Sequence, residues 1–125
     1  MASARLVLYA HGSPDPRWRA PFERLAGAVA ADVGADAVRL AYMESAAPTL
    51  AEVGDEAARD GVTALRVLPL FLASGVHVRR DVEAKAAAIR EAHPGLAVEL
   101  LPPAGEDALV QDALRAVAVR SLLGA

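Results

Sequence analysis

The sequence predicts an α/β fold, an open four-stranded parallel sheet flanked by helices on both faces. Four short apolar runs, most of them rich in Val and Leu, recur at near-regular spacing, and each is followed by a segment of helical period. The runs are close to continuously apolar instead of alternating, the pattern of strands covered on both sides by crossover helices. A length of 125 residues suits one domain spanning positions 1–125.

The first run, Leu6 to Ala10, reads as a strand. It leads into a stripe of Trp18, Phe22, Leu25, Val29 and Val33, one face of a helix ending near Gly34. Asp15 before Pro16 has the form of an N-cap with proline at the first helical position. The second strand is Ala37 to Tyr42. Its helix opens at Pro48, shows Leu50, Val53 and Ala57, and stops at Gly61. The third strand, Ala64 to Leu70, precedes a helix through Val82, Ala86 and Ile89 to His93, ended by Pro94 and Gly95. The fourth is Leu96 to Leu101, and the helix after Gly105 carries Val110, Leu114, Val117, Leu122 and Leu123.

Composition removes several function classes. There is no Cys, so disulfide frameworks, thiolate metal sites and Cys nucleophiles drop out together, and a metal must be held by His and carboxylates. A net charge of -3, with no Lys/Arg run interleaved with aromatics, argues against a nucleic-acid partner. The run Leu6 to Ala10 is far shorter than the roughly 20 residues that cross a bilayer and lacks the flanks of a signal peptide, so no membrane partner and a cytoplasmic location are expected. Neither GxxxxGK[ST] nor GxGxxG is present, so no nucleotide is called for.

Ligands of open parallel sheets bind beyond the carboxyl ends of the strands. Three loops gather there: His11-Gly12-Ser13-Pro14-Asp15-Pro16, Glu44-Ser45-Ala46-Ala47-Pro48, and Phe71 to Asp81 with His77 inside it. His11, His77 and Glu44 thus share one edge, and two imidazoles with one carboxylate form a ligand set for Fe(II), Co(II), Ni(II) or Zn(II). Each residue has a plainer role open to it. Gly12 and Ser13 suit a turn and a cap, and Glu44 a solvated loop. His93, on the apolar stripe of the third helix, reads as structural, set against the dipole or the core. Arg79 and Arg80 open a helix where cations are disfavoured. They either pair with Asp81 and Glu83 or present guanidinium groups to an anion. The loop Phe71 to Val76 is apolar and reads as a mobile wall of a pocket.

Three segments resemble the small class II chelatases of the CbiX type, which insert cobalt or iron into sirohydrochlorin. They are Leu8-Tyr9-Ala10-His11-Gly12-Ser13 with Asp15-Pro16, Tyr42-Met43-Glu44 with Pro48-Thr49-Leu50, and Leu68 through Asp81. Two departures, Pro14 in place of a charged residue and Tyr-Met-Glu in place of Phe-Leu-Glu, touch no expected ligand. The resemblance implies half of a class II chelatase that pairs as a homodimer, with His11, Glu44 and His77 handling the metal and supplying catalysis. It implies ATP-independent insertion of Co²⁺ or Fe²⁺, with Ni²⁺ a further candidate, into an anionic tetrapyrrole for cobalamin or siroheme synthesis, and no cofactor beyond the substrate metal.

The residue types suit that chemistry, because imidazoles near pKa 6.5 both hold a first-row cation and accept the two pyrrole protons that insertion releases. Arg79, Arg80 and Arg17 would then clamp peripheral carboxylates, with Ser13 beside them, while Phe71, Leu72 and Val76 cover the macrocycle. A carrier that binds metal or tetrapyrrole without turnover would use the same residues. A histidine phosphatase would need Arg where Ala10 stands, and an α/β-hydrolase would need GxSxG.

Overall fold

The computed structural model describes residues 3–124. Its elements run β1 (Ala4–Ala10), α1 (Pro16–Val33), β2 (Val38–Tyr42), α2 (Leu50–Arg59), β3 (Ala64–Pro69), α3 (Val76–Ala92), β4 (Ala97–Leu100) and α4 (Ala108–Leu123), with short 3₁₀ turns at Ala35–Ala37 and Ala104–Glu106. The four strands form one parallel sheet in the order β2-β1-β3-β4. The expected α/β architecture is present. Ala37, expected to begin the second strand, ends the 3₁₀ turn instead, and β2 starts at Val38.

The two faces of the sheet are packed unequally. Val7 and Tyr9 of β1, Leu65 and Val67 of β3 and Val98 of β4 meet Leu50, Val53 and Ala57 of α2 and Val82, Ala86 and Ile89 of α3 in the main core. Alternation along a strand sends Leu8 and Ala10 to the opposite face, where α1 lies against β2. Helices α2 and α3 approach closely at Gly54, whose missing Cβ would lie 3.0 Å from Ile89 Cγ2. His93, at the C-cap of α3, ties the same two helices together through Nε2 and Asp55 Oδ1 at 2.7 Å, so its role is structural, through a hydrogen bond.

Capping chemistry sets the helix starts. Asp15 caps α1 as expected, its carboxylate accepting from the Arg17 N–H at 2.9 Å, with Pro16 at the first helical position. Pro48, by contrast, stands outside α2. Thr49 is the N-cap, accepting from the Glu52 N–H at 3.2 Å while Glu52 Oε1 accepts from the Thr49 N–H at 3.0 Å. This reciprocal pair satisfies two otherwise orphaned donors and moves the start two residues along.

Helix α4 departs most from expectation. None of its described residues is buried. Its apolar side chains stay open to solvent, Leu109 at 79% and Leu122 at 87% exposure among them, and it packs chiefly on the short turn at Ala104–Glu106. Its apolar residues therefore do not cover the chain's own sheet, and on the α1 side Arg66 and Glu99 remain exposed, joined by an ion pair of 3.5 Å.

At the amino end of the sheet, opposite the site, Arg5 is only 5% exposed. It donates to the Asp36 carbonyl at 2.8 Å and to Asp60 Oδ2 at 3.1 Å, with Glu56 Oε1 at 3.6 Å. A buried guanidinium requires such partners, and they lock β1 to α2 and to the approach to β2. Replacing Arg5 with Ala removes all of these contacts and is expected to lower unfolding free energy by about 2–3 kcal/mol. Urea denaturation checks this value.

Candidate metal-handling site

The carboxyl ends of β1, β2 and β3 bring the three chemistry-bearing loops to one edge, and backbone hydrogen bonds weld two of them together. The Met43 N–H donates to the Ala10 carbonyl at 2.8 Å and the Glu44 N–H to the His11 carbonyl at 3.0 Å, extending the β1–β2 ladder past both strands. Between these loops sits Gly12 at φ +105°, where a Cβ would lie 1.7 Å from the Glu44 carbonyl oxygen. Only glycine tolerates both the left-handed backbone and that approach. Ser45, at φ 61°, is the described non-glycine residue in the left-handed region, so the chain turns sharply just after Glu44.

His11 is exposed, and its ring stacks on Phe71 with centroids 4.2 Å apart and planes 26° apart. Phe71 in turn leans on Tyr9 at 6.4 Å. With 5% exposure, Phe71 is a buried platform for His11, where the sequence suggested a cover for a macrocycle. The ring carries the imidazole and also borders a groove. Leu72 and Val76 remain open, at 67% and 55%. The Gly105 N–H donates to the Phe71 carbonyl at 2.9 Å, and a Cβ on Gly105 would meet Leu72 O at 2.2 Å, so the loop expected to be mobile is pinned at its start.

His77 stands exposed in the first turn of α3, whose N-cap, Gly75, offers no side-chain acceptor. The first N–H groups of α3 and the exposed Arg79 and Arg80 therefore give this corner a positive field. Among the described residues neither arginine forms an ion pair with Asp81 or Glu83. Arg79 donates to the Ser74 carbonyl at 3.4 Å, and Asp81 pairs with Lys85 at 2.9 Å. A groove of about 390 Å³ opens beside them, lined by Phe71, Ser74, Arg79, Glu83 and Leu101.

Two other expected contacts meet Asp15, and Arg17 stays exposed. The Ser13 hydroxyl accepts from the Asp15 N–H at 3.1 Å, which shapes the turn, and Arg17 lies 3.5 Å from Asp15. Glu44 is exposed beside its weld to His11. Among the described residues no three His, Asp or Glu side chains are gathered tightly enough to close around an ion. His11, Glu44 and His77 share the edge as an open set.

Electrostatic perturbation concentrates just beneath. Burial pushes the Tyr9 hydroxyl up from its usual value, partly offset by the Lys85 charge. Burial alone would lower Lys85, but its hydrogen bond to Asp81 and the neighbouring Tyr9 more than compensate and hold it above 10.5. Tyr42 is also raised, by burial first and then by Glu23, against Arg19.

Residues 5–121 match the CbiX family model. The chain belongs to the CbiX family. Curated relatives are the sirohydrochlorin cobaltochelatases of Methanopyrus kandleri, 39% identical over 77 residues, and of Methanosarcina barkeri, 34% identical over 77 residues. Each alignment takes in 62% of this chain, which spans 54% and 59% of the two relatives' lengths. Among solved structures, a CbiX protein of cobalamin biosynthesis from Marinobacter aquaeolei VT8 superposes with a TM-score of 0.86 at 35% identity, covering 98% of this chain and 99% of that one. SirB of Bacillus subtilis subspecies spizizenii, a sirohydrochlorin chelatase solved with cobalt, gives 0.81 at 22% identity, covering 97% of this chain and 50% of SirB. At that identity the SirB likeness speaks for the fold, and it sets this CbiX chain against half of a double-length one.

Because Gly12 lies beneath Glu44, Gly12→Ala is expected to push the Glu44 loop off the His11 backbone and to destabilise the chain by about 2 kcal/mol or more. Thermal melting gives the stability change, and the Glu44 amide signal reports loss of its hydrogen bond.

Proposed function

We propose that this chain inserts Co²⁺ or Fe²⁺, with Ni²⁺ a third candidate, into sirohydrochlorin or a related anionic tetrapyrrole without ATP, in the cytoplasm, for cobalamin or siroheme synthesis. The observation that carries this reading is the weld of His11 to Glu44 at the edge where His77 opens α3. In support, the segments that carry His11, Glu44 and His77 all follow the carboxyl ends of strands in one sheet, in a chain of the CbiX family. The chelatase names of the relatives support the same reading. Exposed donors on two loops and a helix start suit an ion that is substrate, since it has to be taken from water and handed on. The imidazoles and Glu44 accept the two protons that leave the pyrrole nitrogens. Arg79, Arg80 and the uncapped first turn of α3 attract the peripheral carboxylates, and Leu72 and Val76 offer apolar contact to the ring.

The test mixes protein, Co²⁺ or Fe²⁺ and sirohydrochlorin without oxygen and follows the absorbance change of metallation. Turnover well beyond one equivalent per chain is expected, and it should fall by about 10²-fold or more in His11→Ala and in His77→Ala while both variants stay folded. At most one equivalent marks a carrier. Full activity in both variants removes the metal assignment.

The single domain leaves its site walled on one side, and we propose that a second copy supplies the other wall by packing against α4. The exposed Leu114, Val117 and Leu122 support this, as does the match to half of SirB. Light scattering is expected to give twice the 13.0 kDa of one chain, and Leu114→Asp with Val117→Asp should halve it. A single-chain mass at micromolar concentration in the unaltered protein overturns the dimer.

A further inference from the structure

Lys85 is the only lysine in the chain, and the chemistry proposed above makes no use of it. It lies on α3 at a spacing of four from Asp81, which lies at the same spacing from His77, so the three share one side of the helix. The Lys85 ammonium donates to Asp81 Oδ2 at 2.9 Å and to the Met43 carbonyl at 3.3 Å. Met43 immediately precedes Glu44. Nearby is the Tyr9 hydroxyl, which is buried, has no hydrogen-bond partner among the described residues, and is close enough to feel the Lys85 charge. Tyr9 precedes His11 by two residues and props the Phe71 ring on which His11 stacks.

One ammonium thus reaches three segments, and each segment carries one of the three donors at the rim. An ammonium has three N–H groups, and here two are taken by a carboxylate on α3 and a carbonyl at the end of β2, with the phenol on β1 close by. A neutral side chain of the same length would leave the Met43 carbonyl and the Asp81 carboxylate without this shared partner, and nothing else described bonds α3 to the Glu44 loop.

We propose that Lys85 is a positioning residue that ties the Glu44 loop and β1 to α3, keeping His11, Glu44 and His77 within reach of one divalent cation. This rests on the metal-handling role proposed above, so its test carries one readout that needs no metal. Lys85→Met, Lys85→Arg and the unaltered protein are compared by amide hydrogen exchange, by calorimetric titration with Co²⁺ alone, and by thermal melting.

In Lys85→Met, exchange at the Met43 and Glu44 amides is expected to speed up about tenfold while amides in the middle of α2 keep their protection. Co²⁺ affinity should fall by about tenfold or more, the range seen when groups that orient metal ligands are removed. Lys85→Arg keeps the charge and should recover most of both losses. Should Lys85→Met fail to fold, Asp81→Asn removes the carboxylate that aims the ammonium from α3 at the Met43 carbonyl, and it should reproduce part of the loss of Co²⁺ affinity. Unchanged exchange at Met43 and Glu44, or unchanged Co²⁺ affinity in the folded variant, overturns the proposal. If the unaltered protein takes up no Co²⁺, the metal-handling reading fails, and the exchange data alone decide whether Lys85 holds the three segments together.

Discussion

The constraint on which the site depends is the crossing of two backbones at Gly12 and Glu44. A parallel ladder normally ends with its strands, but here it runs on through Met43 to Ala10 and Glu44 to His11. Continuation demands that the β1 loop pass directly under the Glu44 carbonyl, and the absence of a Cβ at Gly12 is what allows it. The left-handed turn at Ser45 then leads the chain away toward α2. Two residues 33 positions apart in the sequence are joined by main-chain bonds, which are indifferent to side-chain rotation. His11 is held a second time, by stacking on Phe71 over Tyr9.

Around that crossing the molecule is divided between a finished side and an unfinished one. The core formed by α2 and α3 is dense, cross-braced by His93 to Asp55 and by Arg5 to Asp60, and holds most of the buried large aliphatic residues. On the other side α1 has no fully buried residue and α4 contributes none. The candidate donors His11 and His77 are mounted next to the finished half. Loops that must keep their geometry while meeting a ligand are best anchored in the part of the fold with the highest local stability.

Strand and helix order was legible in the sequence because burial on both faces writes itself as apolar runs and helical packing as period-3.6 stripes. The candidate edge followed from topology, which is why His11, Glu44 and His77 could be singled out as candidates without a motif of fixed spacing. What escaped depended on specific pairs. Thr49 and Glu52 spell a capping box, a signal that outranks proline at the start of α2. The stripe on α4 reveals a helix and says nothing about what lies against it. Arg5 carries a charge into a strand, and its burial makes sense only once Asp60 and Asp36 are brought beside it. Phe71 looked like a wall because an aromatic residue in an apolar loop gives no hint of the ring stacked on it. Lys85 is unremarkable until three distant segments are seen to converge on its ammonium.

The strand order β2-β1-β3-β4 also bears on how the chain is made. Its first-synthesised strand is an interior one, whose second neighbour begins 60 residues later at Ala64. During synthesis β1 and β2 can pair early, but one side of β1 stays open until β3 has emerged, and β3 in turn is an unguarded edge until the four residues of β4 dock on it. Until β3 has emerged, the most apolar strand of the protein keeps one side open to its neighbours, so the interval spent making α2 is also the interval in which that side lies unguarded.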